Sequence, residues 1–157
     1  MALENDTQAP DFDLANQFGE RVRLSDFRGQ KAVALVFFPL AFSGVCTGEM
    51  CALRDNLDLF TDHDVELLGI SVDSKATLRA FAEQEGFAFQ LLADFWPHGA
   101  VAKEYGVFLD EKGFANRATF VIDAKGVIRA SFITAPGEPR SIEEYRAALD
   151  EVRPLHV

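Results

Sequence analysis

The stretch Ala32-Val33-Ala34-Leu35-Val36-Phe37-Phe38, set between Gln30-Lys31 and Pro39, decides the fold class. Its apolar residues follow one another without alternation, which suits a strand covered on both faces. Such a strand belongs to a sheet with helices on each side. Pro39 ends the run, because its ring fixes φ and leaves no N–H for a ladder.

On the C-terminal side, residues 49–61 place Met50, Leu53, Leu57 and Phe60 at three- and four-residue steps, which predicts an amphipathic helix. Residues 65–72 read as the next strand. Residues 75–85 read as a helix with Leu78, Phe81 and Ala82 on one face and Gly86 as its C-cap. Residues 90–93 give a short strand and 99–105 a short helix ended by Gly106, with the aromatic-rich segment 94–99 as a packed loop between them. Residues 119–123 and 127–133 form a hairpin across Ala124-Lys125-Gly126. Ser141-Ile142-Glu143-Glu144 is a capping box opening a last helix that runs to about Val152, and residues 153–157 read as a frayed end.

On the N-terminal side, residues 11–14 and 21–24 alternate polar with apolar about Asn16-Gln17-Phe18-Gly19, a hairpin signal. Residues 25–29 follow as a short capped turn. No repeat, low-complexity tract or linker interrupts this order. The expectation is one α/β domain over residues 1–157, close to a thioredoxin-like layout: a central mixed sheet flanked by helices, with an N-terminal hairpin.

The chain has a formal net charge of −10, a surface that repels nucleic-acid phosphates and anionic lipid, so neither is an expected partner. The longest apolar run, residues 32–41, is too short to cross a bilayer. The first residues carry neither a basic region nor an apolar core, so a cytoplasmic address is expected. Cys46 and Cys51 are the two cysteines, and their spacing suggests redox chemistry or a metal. His63, His98 and His156 do not cluster with them, so neither a metal nor another cofactor is expected.

Cys46 stands where the core strand has ended, a loop follows and a helix begins. A cysteine in the first turn of a helix meets unpaired N–H groups and the positive end of the helix dipole. Both favour the thiolate, which is the nucleophilic form. Ser43 sits three residues before that sulfur with a hydroxyl to donate or accept.

Pro39-x3-Ser43-x2-Cys46 resembles the peroxiredoxin pattern Pro-x3-Thr/Ser-x2-Cys, and the loop Phe-Phe-Pro-Leu-Ala-Phe-Ser-Gly-Val-Cys is similar to the AhpE-like branch. Ala9-Pro10-Asp11-Phe12, Leu24-Ser25-Asp26-Phe27-Arg28-Gly29, the segment 92–102 and Arg117-Ala118-Thr119-Phe120-Val121-Ile122-Asp123 resemble further peroxiredoxin segments, over roughly residues 7–135. The resemblance implies a peroxidatic role for Cys46 and a peroxide-holding hydroxyl on Ser43. It implies a shield against water at Pro39, an arginine at Arg117 that stabilises the thiolate, and Glu49 orienting that arginine. It also implies peroxide as substrate, thioredoxin or another thiol system as reductant, and a homodimer as one assembly.

Cys51 departs from the AhpE-like pattern and stands where PrxQ/BCP-type peroxiredoxins often carry a resolving cysteine. In an intact helix, Cα atoms five residues apart lie about 8.7 Å apart, whereas a disulfide wants less than ~7 Å. A Cys46–Cys51 bond therefore requires the helix to unwind locally. Three readings stay open: intrachain resolution by Cys51, a one-cysteine peroxidase resolved by an external thiol, and a non-enzymatic redox sensor. Hydrogen peroxide, organic hydroperoxides and peroxynitrite are not ranked by the sequence. A thioredoxin-type Trp-Cys-x-x-Cys is absent, since the spacing is x4 and Val45 precedes Cys46.

Overall fold

The computed structural model describes residues 2–152, except for the side chain of Cys46. Among them, the hairpin β1 (Asp13–Asn16) and β2 (Arg21–Arg23) precedes strand β3 (Ala32–Phe37), helices α1 (Gly44–Asp55) and α2 (Leu57–Asp62), and strand β4 (Val65–Ser71). Helix α3 (Lys75–Glu85), strand β5 (Gln90–Ala93), helix α4 (Ala100–Glu104) and the short pair β6 (Phe108–Leu109) and β7 (Phe114–Ala115) follow. Strands β8 (Arg117–Ile122) and β9 (Ile128–Thr134) and helix α5 (Ile142–Leu149) complete the order.

All but β6 and β7 form one sheet, ordered β2-β1-β5-β4-β3-β8-β9. β3, β4 and β5 run parallel. β1 pairs antiparallel with β5, and β8 with β3, so the sheet is mixed as expected. Every residue of β3 is buried, because its two faces feed two apolar layers. Val33, Leu35 and Phe37 pack with Tyr105 and Phe120 on one side. Ala34, Val36 and Phe38 pack with Met50, Leu53, Phe60 and Phe81 on the other. No helix among the described residues is long and apolar enough to cross a membrane.

One expected helix needs correction. The helix expected over residues 49–61 starts at Gly44 and is broken at Asn56, which stands outside helical space at φ −117°, ψ 25°. The Asn56 side chain donates to the Ala52 carbonyl at 2.8 Å, and its backbone N–H reaches both Ala52 and Leu53. An amide side chain thus competes with the ladder and ends α1. The apolar stripe runs through the break, since Met50, Leu53 and Phe60 are all buried, and periodicity therefore shows no gap.

Segment 94–99 is a packed loop whose rings face outward: Phe95 and Trp96 are 53% and 81% exposed. What packs there is the buried Asp94 carboxylate, which accepts the Val101 and Ala102 N–H groups at 3.0 Å each and so starts α4. The pair β6 and β7 was not expected, because two-residue strands carry no alternation to read. The last helix gives way to a 3-10 turn at Asp150–Val152, and residues 153–157 lie outside the described residues.

Gly99 precedes α4 in left-handed space (φ +71°), and an added Cβ would stand 2.3 Å from Phe108 Cε1. Gly99→Ala therefore combines backbone strain with overpacking and should cost about 2 kcal/mol in chemical denaturation.

Candidate active site

The site grows from the end of β3. The Phe38 N–H still pairs with the Ile70 carbonyl at 3.0 Å, and the buried Pro39 then stops the ladder. The loop that follows is tied down from β4: Asp73 Oδ2 accepts the Ala41 N–H at 2.8 Å and the Ser71 hydroxyl at 2.6 Å. Phe42 takes a left-handed backbone at φ +67° and lays its ring on Phe81 of α3, centroids 5.0 Å apart.

Ser43 is the N-cap residue of α1, yet its hydroxyl donates to the Leu40 carbonyl at 3.0 Å rather than capping the helix. Cys46 is consequently a first-turn residue of α1, where backbone N–H groups lack intrahelical partners and the dipole is positive. The side chain of Cys46 itself lies outside the described residues.

Arg117 is the first residue of β8 and is 1% exposed. Its Nε donates to the Pro136 carbonyl at 2.7 Å and its Nη1 to Glu49 Oε1 at 3.0 Å. Glu49 is one helical turn past Cys46 on α1 and equally enclosed. Arg140 closes the cluster from the far side. Its backbone N–H and Nε reach Glu49 Oε2 at 2.7 and 3.0 Å, its Nη2 reaches Oε1, and its Nη1 donates to Thr119 at 3.0 Å.

Burial alone would push the Glu49 carboxyl up, but the hydrogen bonds and charge of Arg140, with the charge of Arg117, outweigh it and hold it below the ordinary value of 4.5. The carboxylate is thus an anion that fixes two guanidinium groups in a dry place.

Pro39, Ser43 and Arg117 line one cavity of about 230 Å³, with Val45, Phe114 and Pro136 as apolar wall. A larger groove of about 450 Å³ between β9 and α5 contains none of these residues. The smaller cavity can take a compact ligand against a hydroxyl and a charged fork. A guanidinium held this way offers fixed donors to charge developing on oxygen or sulfur.

The structure therefore brings Pro39, Ser43 and Arg117 together, with Glu49 behind Arg117. Cys51 is not in that cavity. It is half-buried on α1, packs beside the apolar layer, and points its thiol at Glu85 Oε1 of α3, 3.6 Å away. Burial pushes this thiol up; Arg54 opposes the shift, and the Glu85 carboxylate adds to it. Sequence reasoning missed Arg140, whose only mark is an arginine just before a capping box, and Asp73, whose carboxylate grips a loop distant in sequence.

Residues 6–131 match the AhpC/TSA family. Alkyl hydroperoxide reductase E of Mycobacterium tuberculosis strain H37Rv is 50% identical over 141 residues, covering 90% of this chain and 92% of that protein. Peroxiredoxin Bcp of Escherichia coli K12 is 41% identical over 131 residues, covering 79% and 81%. Among solved structures, peroxidoxin BcpB from Mycobacterium tuberculosis aligns with a TM-score of 0.84 at 29% identity over 99% of each chain. AhpC of Enterococcus faecalis aligns with a TM-score of 0.86 at 29% identity, over 96% of this chain and 92% of that one. The mixed sheet with its flanking helices is the thioredoxin-like α/β fold of these peroxiredoxins. A match that runs from ahead of the N-terminal hairpin into β9 and takes in Pro39, Ser43, Cys46 and Arg117 leaves one conclusion: the chain belongs to the AhpC/TSA family of peroxiredoxins and is a thiol-dependent peroxidase.

Proposed function

We propose that Cys46 reduces hydrogen peroxide or organic hydroperoxides in the cavity of Pro39, Ser43 and Arg117, within one domain spanning residues 1–157. The observation that carries this reading is the convergence of a hydroxyl and an anchored guanidinium on the first turn of α1. The Cys46 thiolate gives an electron pair to one peroxide oxygen. An S–O bond forms as the O–O bond breaks, and the other oxygen leaves as hydroxide or alkoxide and takes a proton to become water or alcohol. Sulfur is oxidised to sulfenic acid by the electron pair that the peroxide gains.

Each neighbour has a part in that step. With its proton on the Leu40 carbonyl, Ser43 Oγ presents lone pairs to the O–H of the peroxide. Arg117 stabilises the thiolate and the charge growing on the departing oxygen. Glu49 and Arg140 hold Arg117 in place, and Pro39 keeps water from the sulfur.

Cys51 then resolves the sulfenic acid. Its sulfur attacks the Cys46 sulfur, the S–S bond forms as the S–O bond breaks, and hydroxide leaves to combine with the thiol proton as water. α1 is continuous from Gly44 to Asp55, so its first turns must unwind for this bond to form. A cytoplasmic thiol reductant, thioredoxin or another, restores both thiols. A second reading, resolution by an external thiol, is favoured by one observation: Cys51 faces Glu85 and not the cavity.

One equivalent of peroxide, followed by intact-mass measurement and peptide mapping, tests the assignment. Wild-type protein should become lighter by two hydrogens, with Cys46 linked to Cys51. Cys51→Ser should instead gain one oxygen on Cys46, trappable by dimedone. Wild-type protein that gains oxygen on Cys46 while Cys51 stays free supports the external-thiol reading, and oxygen found first on Cys51 overturns the role of Cys46.

A further inference from the structure

The residues on either side of the Cys46 turn are both fastened to α3. Phe42, before it, rests its ring on Phe81 at 5.0 Å. Cys51, after it, directs its thiol to Glu85 Oε1 at 3.6 Å, and Arg54 Nη1 donates to the Glu85 backbone carbonyl at 2.6 Å. Phe81 and Glu85 are four residues apart on α3 and so share a side of that helix. Phe42 is held in left-handed backbone that a non-glycine residue leaves readily once its ring is released.

We infer that Glu85 is a positioning residue for the resolving thiol: together with Arg54 and Phe81 it latches α1 to α3, and undoing this latch must precede formation of the Cys46–Cys51 bond. The inference rests on the reading that Cys51 resolves Cys46. The latch sets how long the sulfenic acid persists, and so how readily a second peroxide oxidises it to sulfinic acid.

The groups facing the Cys51 sulfur are Arg54 and Asp55 from α1 and Glu85 from α3. Burial, the Glu85 charge and its hydrogen bond all favour the thiol over the thiolate, and Arg54 alone among the larger contributions opposes them. Removing Glu85 therefore both frees the sulfur and favours its nucleophilic form. Glu85 is only half-buried, so its replacement leaves the core intact.

The test compares wild type, Glu85→Ala and Glu85→Gln in two measurements. After a single peroxide turnover, the lifetime of the sulfenic acid is read by dimedone trapping. Glu85→Ala should shorten it about fivefold, the worth of one ordinary hydrogen bond. Glu85→Gln, which keeps an acceptor oxygen without the charge, should fall between. In Cys46→Ser protein, where Cys51 is the sole thiol, iodoacetamide alkylation across pH should show its midpoint displaced to lower pH by Glu85→Ala. Unchanged lifetimes with an unchanged alkylation profile overturn the latch. If wild-type protein forms no intrachain disulfide, the resolution reading fails instead, and the alkylation profile alone decides whether Glu85 holds the Cys51 thiol.

Discussion

Arg117→Met should lower the second-order rate constant for peroxide reduction about a thousandfold, the upper range for losing one fixed donor aimed at developing charge. Arg117 owes its fixed position to three things at once. It opens β8, its Nε is held on the Pro136 carbonyl, and its Nη1 is held on Glu49. Methionine fills much of the same apolar volume but supplies neither charge nor donors. On the mechanism proposed above, the thiolate would lose a stabilising cation and the leaving oxygen its fork of donors. Arg117→Lys keeps a charge but not the planar geometry, so it should recover only part of the rate. Stopped-flow single turnovers at several pH values separate the two contributions. A variant deficient only in thiolate recovers when pH is raised, whereas one that also lacks transition-state stabilisation stays slow. A wild-type rate in Arg117→Met would remove this residue from the chemistry.

Much of this arrangement was legible beforehand, for physical reasons. β3 announced itself because a strand buried on both faces has no polar position to alternate with. α3 was bounded correctly at Lys75 and Glu85 because Gly86 can adopt the left-handed C-cap at φ +71°. Ser141 and Glu144 form the reciprocal capping box that their spacing implies. Pro39, Ser43 and the first-turn position of Cys46 were readable because they are local in sequence.

What stayed hidden depends on distance along the chain. Arg140 meets Glu49 across 91 residues, and Asp73 meets Ala41 across 32, and no periodicity encodes such meetings. Cys51 is a mixed case. Its spacing from Cys46 was plain, but that its thiol turns to Glu85 depends on how α1 lies against α3. The break at Asn56 was hidden for the opposite reason, because the apolar stripe that marks a helix is kept across it.

Glu49→Gln should destabilise the protein by about 4 kcal/mol near neutral pH, within the range for removing one partner of a buried ion pair. The Glu49 side chain is 1% exposed, that of Arg117 1% and that of Arg140 0%. Guanidinium groups do not deprotonate in proteins, so the variant must keep both cations beside a neutral amide. Acid should expose the mechanism. The folded-state value of Glu49 lies below its ordinary 4.5, so its stabilisation is fully present above pH 4.5 and is lost as pH falls through the folded value. Glu49→Gln has no such group to titrate. The stability gap between wild type and variant in urea should therefore be widest above pH 4.5 and narrow on further acidification. A gap that stays constant through that range would mean that amide packing, and not the lost charge, sets the cost. The same variant should also reduce peroxide more slowly, because Arg117 loses the anion that aims it. That loss should be smaller than in Arg117→Met, where the guanidinium itself is gone. A large stability loss joined to a smaller rate loss in Glu49→Gln separates the residue that holds the guanidinium from the residue that carries it.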